Sequence, residues 1–279
     1  GARDGGYILT EAGFGSDMGL ERFVDLKCAV SGMHPRVAVV VVTVRALKVH
    51  SGRYRIVSGK DLPEEMLQEN AEDVRAGAAN LLKHLDIVRG FGITPVVAVN
   101  VFPTDHDSEI EAVGRIARDA GARVAVCHPV TEGGEGCLDL ASAVVEACRE
   151  GEGAASTRPV YEPEDDLRTK IAKVAALYGA DGVDYTSAAS RLLDDYERGG
   201  FGNLPVIVAK TPLSLSAEPG LKGAPAGWRL PVREVRLAAG AGYVCAICGS
   251  LSTMPGLSSR PAAEHIDVDV ATGEIVGLR

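Results

Sequence analysis

The chain has 279 residues, enough to bury one large core or two ordinary ones. With 46% hydrophobic and 24% charged residues it reads as a globular protein without a low-complexity tract. A net charge of −9 argues against a nucleic-acid partner, and the longest apolar run, around Val37–Val42, falls well short of the ~20 residues that span a bilayer.

Gly1–Gly6 show neither an initiator Met nor a signal-peptide pattern, so the expectation is a removed start or a piece of something longer. Without a secretion signal, the six cysteines (Cys28, Cys127, Cys137, Cys148, Cys245 and Cys248) read as free thiols in a reducing, cytoplasmic compartment. Cys245-Ala-Ile-Cys248 has the spacing of half a zinc site or a redox pair. No second Cys/His pair accompanies it, so both are read as strand thiols and no metal site is predicted.

In chain order, Tyr7-Ile-Leu leads into the glycine-rich Thr10-Glu-Ala-Gly-Phe-Gly-Ser-Asp17, read as a strand-to-helix loop. Glu11 or Asp17 could hold a cation there, or be solvated acids. Arg36–Thr43 is a continuous β-branched run, which predicts a parallel strand buried on both faces. Pro63–Arg89 repeats apolar residues at three- and four-residue steps and reads as one amphipathic helix, stopped at Gly90. Strands follow at Thr94–Asn100 and Arg123–Cys127, with helices at Ser108–Ala120 and Cys137–Arg149.

That alternation predicts an α/β domain with a mostly parallel sheet and right-handed crossovers, in which ligands bind beyond the carboxyl ends of the strands. The residues to watch are then Thr43-Val-Arg45, Asn100–Asp105 and Cys127-His128. Asn100, followed by Asp105, resembles the position that reads a nucleotide base in phosphate-loop folds, though an Asn at a strand end also forms turns. Arg45 and Lys48 are two cations after a strand that suit a phosphate or carboxylate, though surface cations are common. The phosphate loop G-x-x-x-x-G-K-[ST] itself is missing, because Ser58-Gly-Lys60 has Tyr54 and Asp61 at the positions that need Gly and Ser/Thr.

Glu150–Pro159 is small, polar and flexible, a candidate linker between a nucleotide-binding part (1–152) and a smaller α+β region (153–279). The second region offers helices at Asp165–Tyr178 and Ser187–Glu197, then strands at Leu204–Lys210, Arg229–Leu237 and Tyr243–Cys248. Phe201, among glycines, and Trp228, the single tryptophan, could hold a flat heterocycle between them, or serve as core and loop anchors. His34, His50 and His84 read as surface or capping residues.

Several long phrases together resemble one family, the formate–tetrahydrofolate ligases. They are Thr10–Asp17 with Phe23–Cys28, Thr43-Val-Arg-Ala-Leu-Lys-Val-His50, Asn100-Val-Phe-Pro-Thr-Asp105, Gly133-Gly-Glu-Gly136, Tyr178–Gly182, Gly200–Pro205, Ala209-Lys-Thr211 with Ser214-Leu-Ser216, Val232–Gly242 and Thr253-Met-Pro-Gly256. Met18-Gly-Leu and Pro212-Leu213 depart slightly from the family pattern.

The resemblance implies a phosphate-loop NTPase-like α/β domain whose phosphate loop lies in an absent N-terminal half. It implies a ligase that uses ATP with Mg²⁺, formate and tetrahydrofolate to make 10-formyltetrahydrofolate through formyl phosphate. This chain is then expected to be inactive without a partner half or subunit carrying the phosphate loop, and to assemble as a homo-oligomer. The resemblance places the pterin between Phe201 and Trp228, with Lys210 as an anion partner; the nucleotide falls to Asn100, Asp105 and Arg45, and catalytic residues are left unassigned. The competing reading is a non-catalytic folate- or nucleotide-binding module, or a partner subunit of a split enzyme.

Overall fold

The computed structural model describes residues 6–56, 61–150, 157–249 and 261–277. Ser58-Gly-Lys60, most of the expected linker and Thr253-Met-Pro-Gly256 lie outside the described residues.

Strands β1 (Val37–Val42), β2 (Thr94–Asn100) and β3 (Arg123–Cys127) form a wholly parallel sheet in the order β1-β2-β3. The connections run through α1 (Val44–His50), α2 (Ala71–Ala76), α3 (Ala78–Gly90) and α4 (Asp107–Asp119), and α5 (Leu138–Glu150) follows β3. On one face Val42, Val97 and Val99 pack against Leu47, Leu81, Leu85 and Val113 from the helices. On the other, Leu140 of α5 packs against Ala98 and Ala125.

β1 corrects the expectation of a strand buried on both faces, because Val39 is 41% and Val41 64% exposed. The register Val41↔Ala98↔Ala125 puts these valines on the α5 side. α5 leans mainly on β3, and β1 is the edge of the sheet.

The single helix expected over Pro63–Arg89 is broken into Glu64–Leu67, α2 and α3. Asn70 caps α2 through Oδ1, which accepts from Glu72 N and Asp73 N at 3.1 Å. From α4, the Glu109 carboxylate accepts Asn70 N at 2.7 Å and ion-pairs with the buried Lys48. Lys48 Nζ also donates to Met66 O at 2.9 Å and Gln68 O at 2.7 Å, so the chain bends around one buried ammonium. At the second break, a Cβ on Gly77 would strike the Leu47 carbonyl.

The second sheet is mixed. It contains β4 (Val183–Tyr185), β5 (Val206–Ala209), β6 (Leu230–Ala238) and β7 (Tyr243–Cys248) in the order β4-β6-β7-β5, with β6 and β7 antiparallel. Helices α6 (Leu167–Tyr178) and α7 (Ser187–Arg198) cover it through Ile171, Val174 and Leu193. A two-stranded pair, β8 (Asp267–Val268) with β9 (Ile275–Val276), closes the described chain.

Near the start, Tyr7, Ile8 and Leu9 are exposed and form no strand. Gly15–Leu20 and Phe23–Cys28 instead wind as π-helix, with Gly19 N donating to Phe14 O at 3.2 Å across five residues. Leu20 and Val24 from this segment pack with Ile87, Phe91 and Leu215 in one cluster, so it is wedged between the two sheets.

Candidate functional site

The carboxyl ends of β2 and β3 meet where Asn100 pairs in register with Cys127. Val101 N then donates to Cys127 O at 2.9 Å, and the chain turns sharply. Asp105 makes that turn by accepting Phe102 N on Oδ2 at 2.9 Å, the behaviour that suits Asp to turns. From the first turn of α1, the Arg45 guanidinium carbon lies 3.8 Å from the centre of the Phe102 ring, and Nη2 donates to Thr104 Oγ1 at 3.0 Å. Arg45, Asn100 and Asp105 are thus gathered in one place.

Two buried atoms in this cluster, Asn100 Oδ1 and Arg45 Nε, have no hydrogen-bond partner among the described residues. Leaving such a group unpaired costs about 1–3 kcal/mol, so each one calls for a reason. Beside them, Gly133 adopts φ 60°, ψ −137°, open only to glycine, and His128 N donates to Gly136 O at 3.0 Å to fold the Gly133–Gly136 loop over the strand ends. The half-buried Phe102 ring is the feature that sequence reasoning passed over. Its signal was an aromatic two residues beyond a parallel strand.

A second cluster lies on the π-helical wedge. Asp17 Oδ2 ion-pairs with Lys210 Nζ at 2.6 Å, and Lys210 donates also to Ser214 O at 2.6 Å. Asp17 is therefore a buried ion-pair partner, not a solvated acid or a cation holder, while Glu11 is exposed. Burial lowers the Lys210 ammonium from its ordinary range, against the pull of Asp17. Burial also lifts Glu21 well above the carboxylate range, with the neighbouring Asp25 adding to it. Asp25 rises to about 7, mainly by burial, although its Oδ1 accepts Val160 N at 2.8 Å.

Tyr178 OH donates to Glu21 Oε2 at 3.3 Å, and Arg22 Nη2 donates to Val208 O at 2.7 Å. The histidines are joints as well. His84 Nδ1 meets Ser16 Oγ at 2.6 Å, and His50 Nδ1 accepts Gly223 N at 3.2 Å, with burial pushing His50 down to about 4. His50 and His84 thus correct the reading as surface residues, whereas His34 is exposed as expected.

A family model described as formate–tetrahydrofolate ligase matches residues 1–279. The chain belongs to the formate–tetrahydrofolate ligase family. Similar proteins include the formate–tetrahydrofolate ligases of Cutibacterium acnes, 58% identical over 98% of this chain, and Saccharopolyspora erythraea, 59% identical over 98%. Formate–tetrahydrofolate ligase 3 of Rubrobacter xylanophilus is 54% identical over the whole chain. The chain spans about half the length of these relatives, 48% of the first two and 50% of the third.

Among the phrases that carry the ligase resemblance, Thr43–His50, Asn100–Asp105 and Gly133–Gly136 converge on the strand-end cluster, and Thr10–Asp17 meets Ala209–Thr211 at the Asp17–Lys210 pair. Phe201 and Trp228 are held by different contacts of the second region. The Phe201 turn lies at the start of α6, where Lys170 Nζ donates to Gly202 O and Leu204 O at 2.8 and 3.1 Å. Trp228 lies past its far end, with its carbonyl accepting Asp181 N at 2.8 Å. The helix separates these ends by about 12 Å between Lys170 and Tyr178. Trp228 is 8% exposed, packs in the core, and donates through Nε1 to Pro225 O at 3.1 Å. Among the described residues no helix is long and apolar enough to cross a membrane.

Proposed function

We propose that this chain supplies a substrate-binding edge of an ATP-dependent ligase that joins formate to tetrahydrofolate and yields 10-formyltetrahydrofolate through formyl phosphate. The observation that carries the reading is Asn100 Oδ1, buried and unpaired among the described residues, two positions before the Arg45-stacked Phe102. Such a pair fits the ring of a planar substrate, with the amide meeting a ring donor and Phe102 stacking on its face. Stacking against Arg45 holds Phe102 ready, so the ring is positioned before the substrate arrives.

The nucleotide remains the occupant proposed for Asn100, Asp105 and Arg45. These residues fit the ring end of ATP; its phosphates, with Mg²⁺, are proposed to rest on a phosphate loop in the remaining half of the enzyme. The edge strand β1, with Val39 and Val41 exposed, supports a neighbouring strand from that half. In formyl transfer of this kind, positioning and charge neutralisation supply most of the acceleration.

Turnover is tested by assaying this chain with ATP, formate and tetrahydrofolate, first alone and then with the phosphate-loop half added. Activity only in the mixture is expected, and turnover by the chain alone would sink the division of labour. Calorimetric titration of the mixture with ATP and with tetrahydrofolate then identifies the occupant. Asn100→Ala should weaken whichever ligand the strand ends hold; a shift for tetrahydrofolate alone reassigns the edge to the pterin, and no shift for either removes the site.

A further inference from the structure

Cys245 and Cys248 have the spacing associated with redox pairs, yet they cannot bridge. Both lie on β7, where residues three apart point to opposite faces and stand about 10 Å from each other. A disulfide needs α-carbons within about 7 Å. The pair that does meet is ten positions apart in sequence. Cys127 ends β3, and Cys137 ends the 3-10 turn that leads into α5.

The hydrogen bond from His128 N to Gly136 O, 3.0 Å, joins the residues just inside the two cysteines and lays their backbones side by side. Cys137 packs against the small cluster of Ala98, Ala125 and Cys127, and it is among the neighbours that raise the Cys127 thiol, after burial. Segments joined by one backbone hydrogen bond sit about 4.7–4.9 Å apart, within the span a disulfide takes.

We propose that Cys127 and Cys137 form an intramolecular disulfide site at the carboxyl edge of the parallel sheet, oxidised by a hydroperoxide. Cys137, the more open of the two, meets the oxidant first, whereas Cys127 is 2% exposed. The Cys137 thiolate attacks one peroxide oxygen, the O–O bond breaks, and with one proton the products are a sulfenic acid and water, or an alcohol if an alkyl peroxide is used. The Cys127 sulfur then displaces hydroxide from the sulfenic sulfur. With the Cys127 proton this leaves as a second water, so two thiols and one hydrogen peroxide give one disulfide and two waters.

Burial lifts the Cys127 thiol to about 11, so the second step is the slower one and the bridge forms only where geometry holds the sulfurs together. The bridge would fix the Gly133–Gly136 loop against the end of β3, next to the unpaired Asn100 Oδ1.

The test treats the folded chain with a small excess of hydrogen peroxide, caps remaining thiols with N-ethylmaleimide, and cleaves after glutamate. Cuts at Glu132 and Glu135 leave the two cysteines on separate peptides, so only a disulfide can hold them together. The expected result is loss of two of the six thiols, a Cys127–Cys137 peptide lighter by two hydrogens, and full recovery with dithiothreitol. Cys137→Ser should leave Cys127 alkylated, and unfolding in guanidinium before oxidation should remove the preference for this pair. Six alkylated thiols, an over-oxidised Cys137 beside an alkylated Cys127, or a Cys127 crosslink to any other cysteine would each overturn the proposal.

Discussion

Around Lys48 every buried charge has an answer, whereas at the end of β2 two buried polar atoms have none. Lys48 gives its protons to Met66 O, Gln68 O and the Glu109 carboxylate, and Glu109 in turn accepts Asn70 N and His106 N. Asn100 Oδ1 and the Nε of Arg45, three residues before Lys48 on α1, stay unpaired among the described residues. A satisfied network fixes the path of the chain. An unsatisfied one marks where something else is meant to arrive.

The largest effect should come from breaking the satisfied network. Glu109→Ala leaves the Lys48 ammonium buried with two carbonyls and removes the caps on Asn70 and His106. Unfolding in urea should show a loss of about 3–5 kcal/mol; a loss under about 1 kcal/mol would mean that the pair is not the clamp described.

The π-helical wedge lies between these extremes, since among the described residues Glu21 Oε1 and Asp25 Oδ2 meet no donor and the two carboxyls face each other. Here the missing partner is a proton. Burial raises Asp25 to about 7, so the folded chain holds a proton that the unfolded chain releases near pH 4. The associated stability is fully present below the ordinary carboxylate pKa and is lost as pH rises towards and through about 7. Urea midpoints should fall from pH 5 to pH 8, and Asp25→Asn should flatten that decline. A slope unchanged by the substitution would break the assignment.

At the strand-end cluster the same kind of substitution should hardly disturb folding. Arg45→Ala removes a stacked guanidinium and is expected to shift stability by less than about 1 kcal/mol, while weakening the bound substrate roughly ten-fold. Asn100→Ala should be the gentlest of all for the fold, neutral or stabilising by up to about 1 kcal/mol, because it deletes a buried acceptor that nothing satisfies. A large loss of stability from Asn100→Ala would show a structural role and erase the contrast with Lys48.

Local pattern exposed part of this design. β2 and β3 run as read, residue for residue, since β-branched runs announce buried parallel strands. β1 has the same composition, but its place at the sheet edge is decided by its neighbours and not by its own residues. The break at Asn70 was hidden for a related reason, as its stabilising carboxylate comes from Glu109, 39 positions away. The π-helical wedge carries no periodic signature that distinguishes it from a glycine-rich loop. Arg45, Asn100 and Asp105 were singled out because strand ends in such sheets are where ligands sit, and the fold gathers them in one place. Phe201 and Trp228 were paired on stacking chemistry and on the family resemblance, and the pterin between them stays a proposal.

The exposed valines of β1 also give this chain a characteristic response to temperature. Attraction between apolar surfaces is largely entropic near room temperature and fades on cooling. Association of chains through Val39 and Val41 should therefore be weakest in the cold and grow on warming, well below the onset of unfolding. Light scattering that rises on gentle warming and clears reversibly on ice would be the mark of that strand.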